Sequence, residues 1–213
     1  MIRSRVFDGL SPEEYDRILC DHRLETRKYS RGEIVINEGE PVKNIGILHL
    51  GKLVGVKINY EGMTHLLRTF EPGEAMLIEA YFSSFGTSPM TIIADEESDI
   101  VILPSSIFES PSSDRIAERL FHNMFRILAD ESIKLIYKTE ILSKRSLRER
   151  IMSYLLIMQE KRGKNSFQIL MNQEKFAQYL CVNRSALSYE LNLMKREGII
   201  AYSKDQYTIL NGQ

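Results

Sequence analysis

Arg184, Ser185, Ser188 and Tyr189 recur at the three- and four-residue spacing that lines up side chains on one helix face. An arginine offers a planar fork of donors. That fork matches two adjacent acceptors such as O6 and N7 on a guanine edge. Ser185 and Ser188 are short enough to let a helix come close to a surface, and Tyr189 adds a phenol beside them. Asn183, directly before Arg184, is a strong helix cap, and Asn172 caps the segment before it. Lys195 and Lys204 supply compact positive charge suited to phosphate. This chemistry is recognition by hydrogen bonds and charge, with base contacts from the four residues of the helix face and phosphate contacts from Lys195 and Lys204.

Bond-making chemistry finds no comparable set. Metal-dependent catalysts need clustered ligands, whereas His49 and His65 stand 16 residues apart with no third ligand near them. No nucleophile-base-acid grouping and no Gly-rich phosphate loop occurs. An enzyme is therefore not expected, nor a metal site. Cys20 and Cys181 are too distant in sequence for metal-binding spacing or an iron-sulfur cluster, and ordinary packing is the plainer reading than redox control. A haem needs an axial ligand. His22, His49, His65 and His122 are available in type, but a lone histidine is more often structural, so no cofactor is expected.

The positioning elements are legible in the pattern. Residues 11–24 read as an amphipathic helix, with Ser11 as cap, Pro12 in the first position and Glu13 and Glu14 at its positive end. From about 27 to 103 short β-rich runs alternate with turns such as Arg31-Gly32, Gly51-Lys52, Glu61-Gly62 and Pro72-Gly73. The runs are Glu33-Ile36, Gly46-Leu50, Leu53-Ile58, His65-Phe70, Met90-Ala94 and Asp99-Leu103, which predicts an antiparallel sandwich or roll. From Ser112 the pattern turns helical for about 30 residues. Two ridges repeat every seven residues, one of Phe121, Leu128, Leu135 and Leu142, the other of Leu120, Ile127, Lys134 and Ile141, with Met124 between them. A helix this long is expected to give one side to a partner helix. Leu120, Phe121, Met124, Ile127, Leu128 and Leu135 are the predicted dimer interface, although Asp130 and Glu131 interrupt a strict seam.

After it come an amphipathic helix from Ser146 to about Glu160, a small strand at Phe167-Leu170, and a helix capped by Asn172. A second helix then runs from Asn183 to Glu197, closed by Gly198, and a terminal hairpin follows over 199–210. Leu187, Leu191 and Met194 form that second helix's inner side. Strand, helix, turn, helix and hairpin in this order make a winged helix-turn-helix plan, in which the second helix enters the major groove of double-stranded DNA. The charge agrees. From Lys144 onward 12 basic side chains stand against 6 acidic ones, a net of +6, while the residues before carry a net of -7. A ligand-sensing module that regulates by protein contact alone is the rival reading.

The sequence resembles the Crp/Fnr family of bacterial transcription regulators over nearly its whole length. VNRSALSYELNLMKREGII is the specific part, joined by RKYSRGEIVINEGE, IGILHLGKLVGV, LLRTFEPGE and SPMTIIADEESDIVIL. The resemblance implies an α+β chain with an antiparallel, cyclic-nucleotide-binding-like jelly roll over 1–111 that senses an effector. It further implies a dimerisation helix over 112–143 and a winged helix-turn-helix DNA-binding domain over 144–213. It implies a homodimer on an inverted-repeat operator, with contact to RNA polymerase. By position in the motif, Arg184, Ser185 and Tyr189 match base-reading residues, and Asn172 and Asn183 match residues that touch phosphate.

The departures are chemical. Cyclic-nucleotide sensors of the family hold the phosphate with an arginine, and none occurs between Gly73 and Thr91, where Ser88, Pro89 and Met90 stand instead. A buried phosphate would lack its counter-ion, so cyclic AMP is not the expected effector. The expected pocket lies between the roll and the long helix, lined by Met76, Leu77, Ile78, Tyr81, Thr91, Phe121, Met124 and Phe125. Its mostly apolar walls suit a small aromatic, fatty or weakly charged metabolite. Glu79 either takes a cationic group or faces water. The tight turn carries Cys181 where glycine is usual, so a positive φ there would be strained. No apolar run is long enough for a membrane helix, and Met1 to Leu10 lacks the apolar core of a secretory signal, so a cytoplasmic location is expected.

Overall fold

The computed structural model describes residues 2–21, 24–58, 64–108, 114–169 and 171–210. His22, the Glu61-Gly62 turn, the helix start expected at Ser112, the domain boundary expected at 111/112, and Leu170 lie outside the described residues. The chain divides into two units, Met1–Asp130 and Glu131–Gln213.

The first unit opens with α1 (Pro12–Asp21) and continues through β1 (Glu25–Tyr29), β2 (Ile34–Ile36), β3 (Ile45–Leu50), β4 (Leu53–Ile58), β5 (Thr64–Phe70) and β6 (Ala75–Met76). The short helix α2 (Ile78–Phe82) leads to β7 (Thr91–Ala94) and β8 (Ser98–Leu103), then to the long helix α3 (Arg115–Leu142). The strands form two antiparallel sheets, ordered β1-β8-β3-β6 and β2-β7-β4-β5. Leu48 and Ile100 of one sheet meet Leu53, Phe70, Ile92 and Ala94 of the other in a common core, which makes the roll. Because side chains alternate along a strand, Ile45 and Ile47 of β3 leave on the opposite face from Leu48. There they pack with Tyr15 and Ile18 of α1 and with Ile116, Leu120 and Met124 of α3. Buried Asn123 fastens this layer, donating to the backbone oxygens of Val6 at 2.9 Å and Asp8 at 2.8 Å.

α3 is capped by Asp114, whose Oδ1 accepts from the Ile116 amide at 2.9 Å. The structure corrects part of the expected partner face. Leu120 and Met124 are fully buried against the chain's own roll, so neither is available to a second molecule. Ile127 and Leu128 pack partly against the same core. Exposed apolar side chains of α3 include Phe121 and Phe125 in the first unit and Leu135 in the second, with Phe125 and Leu135 each 63% exposed, while Leu128 is half-buried. Two strands and one α-helix were not foreseen. β1 is a charged, largely exposed edge strand without apolar alternation, β6 has two residues, and α2 is a single turn of five.

The second unit holds the end of α3 followed by α4 (Leu147–Arg162), β9 (Ser166–Gln168), α5 (Gln173–Tyr179), α6 (Arg184–Arg196), β10 (Ile200–Ser203) and β11 (Gln206–Ile209). Ser146 and Glu149 close a reciprocal capping box on α4. Gly163, at φ +63°, ends that helix in the left-handed conformation that glycine adopts without strain. The sheet order is β10-β11-β9. Ile141, Ile151, Leu155, Phe176, Leu187, Leu191, Met194 and Ile200 share one core, to which α3, α4, α5, α6 and the hairpin all contribute. The architecture is α+β: an N-terminal antiparallel roll, a long helix and a C-terminal winged helix-turn-helix.

Candidate nucleic-acid interface and effector pocket

Two asparagines set the frame of the helix-turn-helix. Asn172 Oδ1 accepts from the Lys175 amide at 2.9 Å, and Asn183 Oδ1 accepts from the Ala186 amide at 2.8 Å. Each cap satisfies a backbone donor that a helix start leaves open, and each leaves its side-chain NH2 group as a donor. Between the helices Cys181 takes φ +57°, the strained conformation its position required, and it is exposed. The Val182 amide then donates to the Ala177 carbonyl at 3.0 Å and closes the turn.

α6 buries Leu187, Leu191 and Met194 completely. That burial turns Arg184, Ser185 and Tyr189 outward. Arg184 and Ser185 are exposed, Tyr189 is 66% exposed, and Ser188 is half-buried. Among the described residues the Arg184 guanidinium has no ion pair or hydrogen bond, so its whole donor fork is open to a ligand. Behind α6, Arg148 donates through Nε to Glu190 at 2.7 Å and through its two terminal nitrogens to Glu197 at 2.6 and 3.2 Å. The Glu197 bond first, then that of Glu190, holds the Arg148 guanidinium above its usual range. These bonds clamp α6 to α4 on the side away from the exposed face.

The wing is braced to α6 by residues that the sequence reading passed over. The Tyr202 hydroxyl donates to Asn192 Oδ1 at 3.0 Å, and the Tyr202 ring stacks on Tyr207 with centroids 5.6 Å apart. Asn192 follows Ser188 by one helical turn, a spacing that marked it as part of the same face. Lys195 Nζ donates to the Tyr202 carbonyl at 3.3 Å and lies over the Tyr202 ring, so its ammonium is drawn to the wing rather than standing free for phosphate. Lys204 sits exposed in the wing turn at φ +54°. Beneath the wing, Tyr154 and Tyr207 are pushed up to about 12 by burial and stay neutral phenols.

In the first unit the eight residues expected around one pocket divide among core, surface and cavity wall. Met76 and Leu77 border a cavity of about 320 Å³ between the sheets, with Val42, Ile92 and Ile100. Ile78 and Met124 are solid core, while Phe121 and Phe125 are exposed, because α3 turns its Met124 side to the roll. Tyr81 packs between the two cores. Thr91 Oγ1 accepts from the Glu38 amide at 3.1 Å. A larger hollow of about 520 Å³ has Glu38, Lys57, Glu79, Phe85, Ser88 and Pro89 among its walls. Ser88 is buried, and its hydroxyl donates to the Met90 carbonyl at 2.6 Å. Phe82 of α2 meets Phe121 of α3 edge to face, with centroids 5.5 Å apart. Among the described residues no group of three His, Cys, Asp or Glu side chains gathers as metal ligands.

Residues 26–111 match the cyclic nucleotide-binding domain family, and residues 149–213 match the Crp-like helix-turn-helix domain family. No curated protein matches the chain by sequence. Among solved structures, a mutant of CooA from Carboxydothermus hydrogenoformans is 18% identical with a TM-score of 0.60, covering 99% of this chain and 92% of its own. The c-di-GMP responsive global regulator CLP of Xanthomonas campestris is 15% identical with a TM-score of 0.59, covering 95% of this chain and 100% of its own. A crp/fnr family transcriptional regulator from Eubacterium rectale is 21% identical with a TM-score of 0.51, covering 97% of this chain and 93% of its own. At these identities the likeness is one of fold.

Proposed function

Because the chain belongs to the Crp/Fnr family of DNA-binding transcription regulators, we propose that it grips an inverted-repeat operator as a homodimer and is controlled by a small molecule other than a cyclic nucleotide. The observation that carries the DNA reading is the leading end of α6. Its Asn183 cap, its buried inner side and its unpaired Arg184 present a donor fork beside Ser185 and Tyr189. Base contacts fall to Arg184, Ser185, Ser188 and Tyr189. Phosphate contacts fall to the Asn172 and Asn183 amides and Lys204, with Lys195 holding the wing in place for them.

In this reading the chain works in three segments, an effector-sensing roll over 1–111, a dimerisation helix over 112–143 and a DNA-binding domain over 144–213. Two copies associate along Phe121, Phe125, Leu128 and Leu135. The exposure of Phe121, Phe125 and Leu135 supports that assembly. The effector reading rests on Ser88, whose hydroxyl is committed to Met90 where an anion-holding arginine would be needed. Coupling to the dimer helix runs through Phe82 and Phe121. The protein has no catalytic role here and acts on transcription in the cytoplasm through contact with RNA polymerase, as family membership implies. Among the described residues no helix is long and apolar enough to cross a membrane.

Selection of tight-binding duplexes from a random pool by the full-length protein tests this. The expected product is an inverted repeat whose half-site centres lie about one helical turn, ~34 Å, apart. Recovery of no preferred sequence, or binding that ignores salt, would overturn it.

A further inference from the structure

Among the described residues that line the hollow beside α2, one charge has no partner. Glu38 and Lys57 line it together, and they neutralise each other in an ion pair at 3.0 Å. Glu79 lines the same hollow on the exposed side of α2, and its carboxylate has no partner among the described residues. Phe85, 84% exposed, adds a bare aromatic ring to the wall, alongside apolar Ala80 and Pro89. The hydroxyl of Ser88 already donates to Met90, and among the described residues that line the hollow no arginine and no unpaired lysine stands to meet an anion. Its volume of about 520 Å³ falls in the range of small-molecule sites.

We infer that this hollow takes an amphipathic cation, a primary amine with a small aromatic or aliphatic body. The ammonium pairs with Glu79 and the body lies against Phe85, Ala80 and Pro89. An aromatic face attracts a cation as well as an apolar chain, so Phe85 serves either end of such a ligand. The position gives the ligand a route to the rest of the chain. Glu79 and Phe82 sit on the same single-turn helix, and Phe82 packs against Phe121 of α3. This identification of the effector's class rests on the reading that a small molecule controls the protein.

The experiment uses the full-length protein with 2-phenylethylamine and hexylamine as probes, and with 2-phenylethanol, phenylacetate and cyclic AMP as comparisons. Calorimetry and thermal shift report binding, and affinity for the selected DNA is measured in parallel. The amines are expected to bind more tightly than the alcohol and the acid. Glu79→Gln is expected to lower amine affinity roughly three- to tenfold, with Glu79→Asp recovering part of the loss. Phe85→Ala is expected to weaken the aromatic amine more than the aliphatic one. Both side chains are exposed, so both variants keep the fold. Absence of amine binding at millimolar concentration, or amine binding that Glu79→Gln leaves unchanged, overturns the inference. If phenylacetate binds and alters DNA affinity while the amines do not, the site assignment falls and effector control stands; if cyclic AMP does so, the exclusion of a cyclic nucleotide falls as well. Glu79-dependent amine binding without any change in DNA affinity upholds the site and removes its regulatory role.

Discussion

The hydroxyl of Tyr202, on the first wing strand, donates to Asn192 on α6 at 3.0 Å. One bond thereby joins the wing to the helix proposed to enter the groove. With the Lys195 contact to the same tyrosine, it sets the position of the wing turn relative to the exposed helix face. Tyr202→Phe keeps the ring stacked on Tyr207 and removes only the bond. The expected cost in stability is about 0.5–1.5 kcal/mol. Affinity for the selected operator should fall while the salt slope stays the same, since every phosphate keeps its cation. Fluorescence anisotropy across a salt series measures both. An unchanged operator affinity would show that the bond serves stability alone.

Arg184 and Lys204 should separate by role. Arg184→Ala is expected to cost on the order of 1–3 kcal/mol per contact at the operator and much less on scrambled duplex. Lys204→Ala should weaken both duplexes alike and flatten the salt slope by about one unit for each phosphate it no longer neutralises. Titration of both variants on both duplexes distinguishes them. If Arg184→Ala weakens the two duplexes equally, base reading passes to Tyr189.

The two sides of α3 should respond differently. Phe125→Glu puts a charge at an exposed position of α3, where a partner helix would bury it. Sedimentation is expected to show folded monomers where the parent gives dimers at micromolar concentration. Met124→Ala empties a fully buried site in the chain's own roll and should cost about 2–5 kcal/mol without changing which surface associates. A monomeric parent protein would remove the dimer reading and the inverted repeat with it.

Cys181 holds φ +57° without the freedom of glycine. Cys181→Gly is expected to raise stability by about 1 kcal/mol as the strain is relieved. Denaturant unfolding of the two proteins side by side gives the difference. A destabilised glycine variant would mean that the cysteine side chain contributes more than its strain costs.

Burial pushes Tyr154 and Tyr207 up to about 12 from an ordinary value of 10.0. In the native state each phenol keeps its proton in alkaline solution where the unfolded chain releases it. The stability linked to them is therefore fully present below about pH 10 and is lost as the pH rises toward 12. Melting temperatures of Tyr154→Phe should fall less steeply than those of the parent across that window. Parallel curves for the two proteins would count against it.

The exposed face of α6 was legible because helix periodicity is a local property. Once Leu187, Leu191 and Met194 are assigned inward, the geometry of 3.6 residues per turn sends Arg184, Ser185 and Tyr189 outward. The caps at Asn172 and Asn183 and the strain at Cys181 are local too, set by a few consecutive residues. The alternation of short strands and turns specified the roll, and it located β4 at its observed bounds.

What the tertiary structure alone decided depends on which surface meets which. The two seven-residue ridges of α3 are apolar in sequence except at Lys134, and only packing against the roll shows that Leu120 and Met124 belong to the chain itself. The same packing leaves Phe121 and Phe125 exposed. β1 has no apolar pattern of its own, and its strand state comes from pairing with β8, more than 60 residues away. The hollow brings Glu38, Lys57, Glu79 and Phe85 together from separate elements, and the ion pair that singles out Glu79 joins two residues 19 apart. No periodicity encodes such a meeting, because it is fixed by the order of strands in the two sheets and not by the spacing of residues along the chain.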